Sequence, residues 1–105
     1  MRLLTRQILY ALEFDRNARM RHVHQMDRGR VTGFTVQLEV WQNTKWRVVV
    51  RYDCRHGFPH KDIYRNNGQS RKIHLAMSFE DALTVADTDI REHWKIYIER
   101  FLKGE

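Results

Sequence analysis

Residues 31–52 read VTGFTVQLEVWQNTKWRVVVRY, and this stretch decides the fold class. Over residues 31–41 apolar and polar side chains alternate, which is typical of a strand with one buried face. Residues 42–45 form a polar hairpin loop, and residues 46–52 make a second strand rich in β-branched side chains. The pattern predicts two neighbouring antiparallel strands. The buried face of the first is expected to carry Thr32, Phe34, Val36, Leu38 and Val40.

Further strands are expected on both sides of this hairpin. Alternation predicts them over residues 7–15, 19–26, 60–64 and 71–76. The first of these also fits a helical stripe, but a turn signal at residues 15–17 favours a strand. The clearest turns are expected at residues 27–29 and 66–69, the second because Asn-Gly tolerates positive φ angles. The prediction is an antiparallel β-sheet meander of five to six strands over about residues 7–76.

A helical period replaces the alternation near the C-terminus. Ser78 is placed to cap a helix, and Asp81 stands three residues later, where a capping box has Glu or Gln. A helix over about residues 79–103 is predicted to pack one apolar stripe on the sheet, which gives an α+β fold in a single domain, residues 1–105. The stripe consists of Phe79, Ala82, Leu83, Ala86, Ile90, Trp94, Tyr97 and Phe101.

Bulk composition limits the class of protein. A chain of 105 residues can bury one modest core. Its 19 Lys and Arg against 13 Asp and Glu give a net charge of +6, which favours nucleic acid, an anionic surface or an acidic protein as partner. No apolar run is long enough for a transmembrane helix, and no signal peptide is indicated. Cys54 is the single cysteine, so no internal disulfide can form and a cytoplasmic location is expected.

The densest group of chemically active side chains lies in residues 51–62, RYDCRHGFPHKD. His56 and His60 flank a Gly-Phe-Pro corner, and Asp53 precedes both. Two imidazoles, one oriented by a carboxylate, can act as general base and general acid. With cations for the phosphate, these groups suit metal-independent phosphodiester cleavage. The cations are Arg51, Arg55 and Lys61. The alternative is a polar turn in which Asp53 makes loop hydrogen bonds.

The same stretch leaves two other chemistries open. His56, His60 and either Asp53 or Asp62 could form a mixed nitrogen and oxygen metal site. Their spacing is not a recognised zinc pattern, so no metal and no cofactor are expected. Cys54 could be a nucleophile activated by the positive charge beside it, but a small buried side chain at a strand end is favoured.

His22 and His24 stand two residues apart on a predicted strand and therefore share one face. They could extend the site from outside residues 51–62. The alternative, which is favoured, is a pair of exposed strand histidines.

Aromatic side chains interleave with cations around the central strands. This combination on an open sheet is typical of proteins that stack and neutralise single-stranded RNA. Part of the aromatic set is nevertheless expected to lie in the core beneath the helix. The aromatics are Trp41, Trp46, Tyr52, Phe58 and Tyr64, and the cations are Lys45, Arg47, Arg51 and Arg65.

The run Arg51-Tyr52-Asp53, followed by His56 and by Phe58-Pro59-His60-Lys61, resembles the signature of TumE-type toxins of prokaryotic toxin–antitoxin pairs. It is also similar to a wider set of small prokaryotic proteins with an R-Y-D-x-x-H-G core and a C-terminal helix. The resemblance implies a small basic sheet-and-helix toxin with ribonuclease-like activity, neutralised by a small antitoxin. Asp62 stands where the toxin pattern tends to place a further histidine. The matching positions are Arg51, Asp53, His56, His60 and Lys61.

Together these observations predict a small basic prokaryotic protein that acts on RNA as a toxin-like, metal-independent endoribonuclease. RNA and a small antitoxin protein are the expected partners. Two alternatives stay open: a non-catalytic nucleic-acid-binding module, and a structural homodimer that pairs through a sheet edge.

Overall fold

The computed structural model describes residues 5–105, and the first four residues of the predicted domain lie outside this range. The described chain forms a six-stranded antiparallel sheet with its strands in sequence order, followed by one long helix. The predicted α+β class, the meander and the C-terminal helix are therefore confirmed. The elements are β1 (Thr5–Asp15), β2 (Ala18–Asp27), β3 (Arg30–Gln42), β4 (Lys45–Asp53), a 3₁₀ turn (Arg55–Gly57), β5 (His60–Tyr64), β6 (Ser70–His74) and α1 (Phe79–Leu102).

Tight turns join most neighbouring strands. In the β3–β4 hairpin Asn43 and Thr44 take left-handed φ angles of 54° and 61°. Two successive left-handed residues match the twist of the strands that they connect. Gly68 takes a φ of 90° in the turn before β6, a conformation that costs glycine no steric strain. Both loops lie where the sequence predicts them.

The core lies between α1 and one face of the sheet, chiefly against β3 and β4. The predicted alternation on β3 is confirmed for Phe34, Val36, Leu38 and Val40, which are buried. Thr32, predicted on the same face, is exposed near the start of the strand. Ile98 extends the predicted stripe of α1, because it stands four residues after Trp94 on the same side. No helix within residues 5–105 has the length and apolar character that crossing a bilayer requires. The buried residues of α1 are Ala82, Ala86, Ile90, Ile98 and Phe101.

The two faces of the sheet carry different chemistry. Tyr52 and Lys61 pair across β4 and β5, and both side chains bond to residues of α1, which marks the helix face. Asp53 and His60 form the adjacent pair and therefore point to the opposite side. We call that side, which points away from α1, the open face. It also carries the row of paired residues Arg51, Asp62 and Lys72.

Ser78 caps the start of α1. Its Oγ accepts a hydrogen bond from the backbone N–H of Asp81 at 3.0 Å. Replacing Ser78 by alanine removes this acceptor and should lower the free energy of unfolding by about 1 kcal/mol. Chemical denaturation measures the change, and Ser78→Asp, which keeps a capping oxygen, serves as the control. An alanine variant as stable as the wild type would contradict the assigned cap.

Candidate functional site on the open face

Three buried polar side chains converge on the open face of β4 and β5. His60 Nε2 lies 2.6 Å from Asp53 Oδ1 and 3.6 Å from Asp62 Oδ2. The side chains of His60, Asp53 and Asp62 are 2%, 5% and 10% exposed. Taking ionisable groups out of water costs free energy that only close pairing offsets. We call this group the Asp–His–Asp cluster.

Strand register assembles the cluster. Asp53 is the cross-strand partner of His60, and Asp62 follows two residues later on the same face of β5. The loop that joins β4 to β5 lies over Asp53 and His60. The backbone N–H of Arg55 donates to Asp53 Oδ1 at 3.2 Å, and the Phe58 ring lies 5.8 Å from the His60 ring. Asp53 therefore holds His60 and also makes the loop hydrogen bond expected of a polar turn.

The cluster lines a cavity of about 400 Å³. Lys72 Nζ lies 3.3 Å from Asp62 Oδ1. The Nε of Arg51 donates to Gln37 Oε1 at 2.9 Å, which holds its guanidinium against the sheet. The cavity therefore combines buried carboxylates with cationic walls. Besides the cluster, its lining consists of Arg51, Arg55, His56, Tyr64, Ser70 and Lys72.

The two histidines predicted as an acid–base pair both line this cavity, in different environments. Both ring nitrogens of His60 face acceptors: Nε2 faces Asp53, and Nδ1 lies 3.4 Å from the backbone carbonyl of Phe58. His56 is exposed in the 3₁₀ turn, where its backbone takes a left-handed φ of 68°. His56 therefore lies exposed at the cavity, whereas the ring of His60 is held by protein acceptors on both sides.

A family model described as a domain of unknown function, DUF7718, matches residues 3–105. The chain belongs to the DUF7718 family. No curated protein and no solved structure matches it.

Lys61 lies away from the cavity of this DUF7718 protein. It follows His60 directly in β5 and therefore points to the helix face. Its Nζ lies 2.6 Å from the hydroxyl of Tyr97 and 3.2 Å from Asp89 Oδ2. The predicted phosphate contact by Lys61 is therefore corrected, because strand alternation separates it from Asp53 and His60.

Asp89 holds together a polar cluster between helix and sheet. Its Oδ2 accepts hydrogen bonds from Tyr52 at 2.5 Å, Tyr97 at 2.6 Å and Lys61 at 3.2 Å. Burial opposes ionisation of Asp89, but the bonds from the tyrosines and Lys61 outweigh it and lower the pKa of Asp89. Burial, reinforced by the bond to Asp89, raises the pKa of Tyr52 and the pKa of Tyr97. Both tyrosines therefore stay protonated donors at neutral pH.

His22 and His24 also lie on the helix face and do not extend the open-face cavity. His22 Nδ1 lies 3.1 Å from Asp87 Oδ1, and its Nε2 lies 2.6 Å from His24 Nδ1. The ring of Tyr10 stacks on His22, and its hydroxyl donates to Asp87 Oδ2 at 2.9 Å. Burial lowers the pKa of His24, and His22 lowers it further. The possible extension of the site by His22 and His24 is corrected, because both strand positions face α1. The favoured alternative of two exposed histidines is also corrected, because His22 is buried.

Cys54 is half-buried after the end of β4. Its Sγ accepts a hydrogen bond from the backbone N–H of Phe34 at 3.2 Å. Burial raises the pKa of the Cys54 thiol, which disfavours the reactive thiolate. These contacts support the packing role over the nucleophile.

Aromatic and cationic groups continue along the open face beyond the cavity. The rings of Trp41 and Trp46 meet edge to face at 5.5 Å, and the guanidinium of Arg19 lies 4.0 Å from the Trp46 ring. The hydroxyl of Tyr64 accepts a hydrogen bond from Arg51 at 3.3 Å. The predicted aromatic set therefore divides between the faces, with Tyr52 under the helix.

Asp62, Tyr64 and Lys72 belong to the cavity but not to the predicted nuclease site. Strand alternation could have identified Asp62 and Tyr64, since they follow His60 by two and four residues and therefore share its face of β5. Lys72 reaches Asp62 through the β5–β6 pairing. Its position depends on the register set by the Asn-Gly hairpin.

Proposed function

We propose that this protein binds single-stranded RNA on its open face and cleaves it in the cavity beside the Asp–His–Asp cluster. The observation that carries the proposal is the exposed His56 on a cavity whose walls include Arg55 and Lys72. A cation pair of this kind suits a phosphate.

The proposed reaction uses the ribose 2′-hydroxyl as nucleophile. His56 removes its proton, and the 2′-oxygen attacks the adjacent phosphorus. The bond to the 5′-oxygen breaks as water protonates that oxygen, and His56 then releases its proton to solvent. Arg55 and Lys72 stabilise the negative charge on the phosphoryl oxygens. Asp53 and His60 keep the cavity wall in place beneath them.

The rest of the open face supports RNA as the ligand. Unstacked bases bind to aromatic rings, and Trp41, which is 42% exposed, offers one on this face. The net charge of +6 favours a polyanion in general.

A second candidate function is RNA binding without cleavage. Both ring nitrogens of His60 already face protein acceptors. The cavity therefore has His56 as its exposed imidazole, rather than the pair of histidines expected for acid–base cleavage.

The small antitoxin and the homodimer stay predictions. The outer edge of β1 is a place where a second copy could add a strand, and Leu9 on this strand is 62% exposed. Sedimentation of the purified chain, alone and with the product of a neighbouring gene, tests both partners.

Incubating the purified chain with labelled single-stranded RNA and with DNA of the same sequence tests the catalytic proposal. Cleavage of RNA alone, with 2′,3′-cyclic phosphate ends, is the expected result. Intact RNA both with and without divalent metal would overturn it. Salt-sensitive RNA binding without cleavage would support the second candidate instead.

Replacing Arg55 by glutamine should weaken RNA binding about 3- to 10-fold and reduce the slope of log affinity against log salt by about one. The reason is the loss of one cavity cation that meets phosphate. Arg28→Gln removes the same charge from the exposed β2–β3 turn and serves as the control. Equal effects of the two variants in fluorescence anisotropy titrations would show that RNA does not select the cavity.

A further inference from the structure

We propose that the Asp–His–Asp cluster is a binding site for one divalent cation, Mn²⁺ or Zn²⁺. The ligand atoms are Asp53 Oδ1, His60 Nε2 and Asp62 Oδ2. One such atom from each residue lies within 4.8 Å of the others. Binding of the ion does not require RNA. A role of the ion in RNA cleavage rests on the proposed function.

The distances within the cluster suit a shared ion. The Nε2 atom of His60 lies 2.6 Å from one carboxylate oxygen and 3.6 Å from the other. Ligand atoms about 2.1 Å from one metal ion are separated from each other by roughly 3–3.5 Å. A small outward movement of Asp53 therefore accommodates an ion between the three residues.

The surrounding bonds orient the ligands toward one point. The Nδ1 of His60 faces the backbone carbonyl of Phe58 at 3.4 Å, the kind of partner that orients metal-binding imidazoles and directs Nε2 at the ion. Lys72 binds Asp62 through Oδ1, so Oδ2 stays directed at His60. The backbone N–H of Arg55 steadies the Asp53 carboxylate.

Charge and burial favour a cation at this place. Both carboxylates are no more than 10% exposed. Asp62 pairs with the half-exposed Lys72, and Asp53 pairs with the His60 ring. The cluster lies on the face of the sheet that points away from α1. The packing of the helix on the sheet therefore does not account for the burial of these polar groups. A bound divalent ion neutralises both carboxylates, and closely paired buried charges cost less than unpaired ones.

The donor set indicates the kind of ion. One imidazole nitrogen with two carboxylate oxygens suits Mn²⁺ or Zn²⁺ better than Ca²⁺, which takes oxygen ligands. Three protein ligands leave coordination positions open to the cavity, as in catalytic metal sites. If RNA binds there, a phosphoryl oxygen can take an open position and be polarised by the ion. This inference departs from the metal-independent chemistry expected from the sequence.

Isothermal titration of the chelator-treated full chain with Mn²⁺ and with Zn²⁺ tests the site. One ion per chain is expected. Asp62→Asn and His60→Gln should each weaken binding about 10-fold or more. His93→Gln, which changes an exposed histidine of α1 on the other side of the sheet, should leave it unchanged. Lys72→Met should tighten binding several-fold, because it removes a cation that competes for Asp62. Thermal unfolding of each variant separates lost binding from lost folding.

Three results would overturn the metal site. One is no binding at millimolar ion by the folded wild type. Another is undiminished binding by folded Asp62→Asn and His60→Gln. The third is binding that survives His60→Gln and disappears in His24→Gln, which would place the ion at the helix-face histidines.

The RNA assay distinguishes this inference from the proposed function. RNA cleavage that persists in chelator, by a chain that binds no ion, would overturn the metal site alone. One bound ion at the cluster, with RNA intact in its presence, would support the metal site and overturn the catalytic proposal.

Discussion

Replacing His56 by asparagine should lower the rate of RNA cleavage by about 10²- to 10⁴-fold, the usual contribution of a positioned acid–base group. RNA affinity should change little, because the arginines and Lys72 remain. Asparagine is chosen because His56 takes a left-handed φ of 68°, a conformation that asparagine tolerates better than alanine does. Single-turnover cleavage and anisotropy titrations measure the two effects separately.

His93→Gln is the matched control, since His93 is an exposed histidine of α1, on the other side of the sheet from the cavity. It should keep the cleavage rate of the wild type. A His56→Asn variant that cleaves within about twofold of the control would remove His56 from the proposed reaction. Equal losses in affinity and rate would assign it a binding role.

Replacing Asp89 by alanine should lower the free energy of unfolding by about 2–3 kcal/mol, because it removes the charged acceptor of three part-buried hydrogen bonds. The variant leaves Tyr52, Tyr97 and Lys61 without their shared acceptor. Urea denaturation at pH 7 measures the loss. Asp81→Ala, an exposed aspartate of the same helix, is the control and should cost less than about 1 kcal/mol.

The same network predicts a pH dependence. Because the folded-state pKa of Asp89 is lowered, its contribution to stability is present above the ordinary aspartate pKa of about 4 and is lost as pH falls through the lower folded value. The difference between wild type and Asp89→Ala should therefore shrink in strongly acidic solution. A difference that is constant from pH 7 to strong acid would contradict an ionised Asp89 in the fold.

Most of the fold could be predicted because secondary structure leaves a local pattern. The buried face of β3 follows from alternation at Phe34, Val36 and Leu38, and α1 follows from a stripe at three- and four-residue spacing. The Ser78 cap and the Asn-Gly turn are also local signals. None of these predictions needs to know which distant residues will meet.

The candidate site could be predicted only in part. Asp53, His56 and His60 lie close in sequence and line one cavity. Lys61 does not join this site because adjacent strand residues point to opposite faces, and the lysine that lines the cavity is Lys72 from the next strand. The separate environments of His56 and His60 depend on the loop that closes over Asp53.

The sequence by itself determined which residues form the strands and the helix, and that ionisable groups concentrate in residues 51–62. Tertiary structure decided which of those groups meet. Lys61 reaches Asp89 across 28 residues and His22 reaches Asp87 across 65, because the helix docks on one face of the sheet. The Asp–His–Asp cluster forms on the other face, because strand register aligns Asp53 with His60 and alternation adds Asp62. The docking of α1 and the register of β4 against β5 are long-range properties, so local sequence patterns do not encode them.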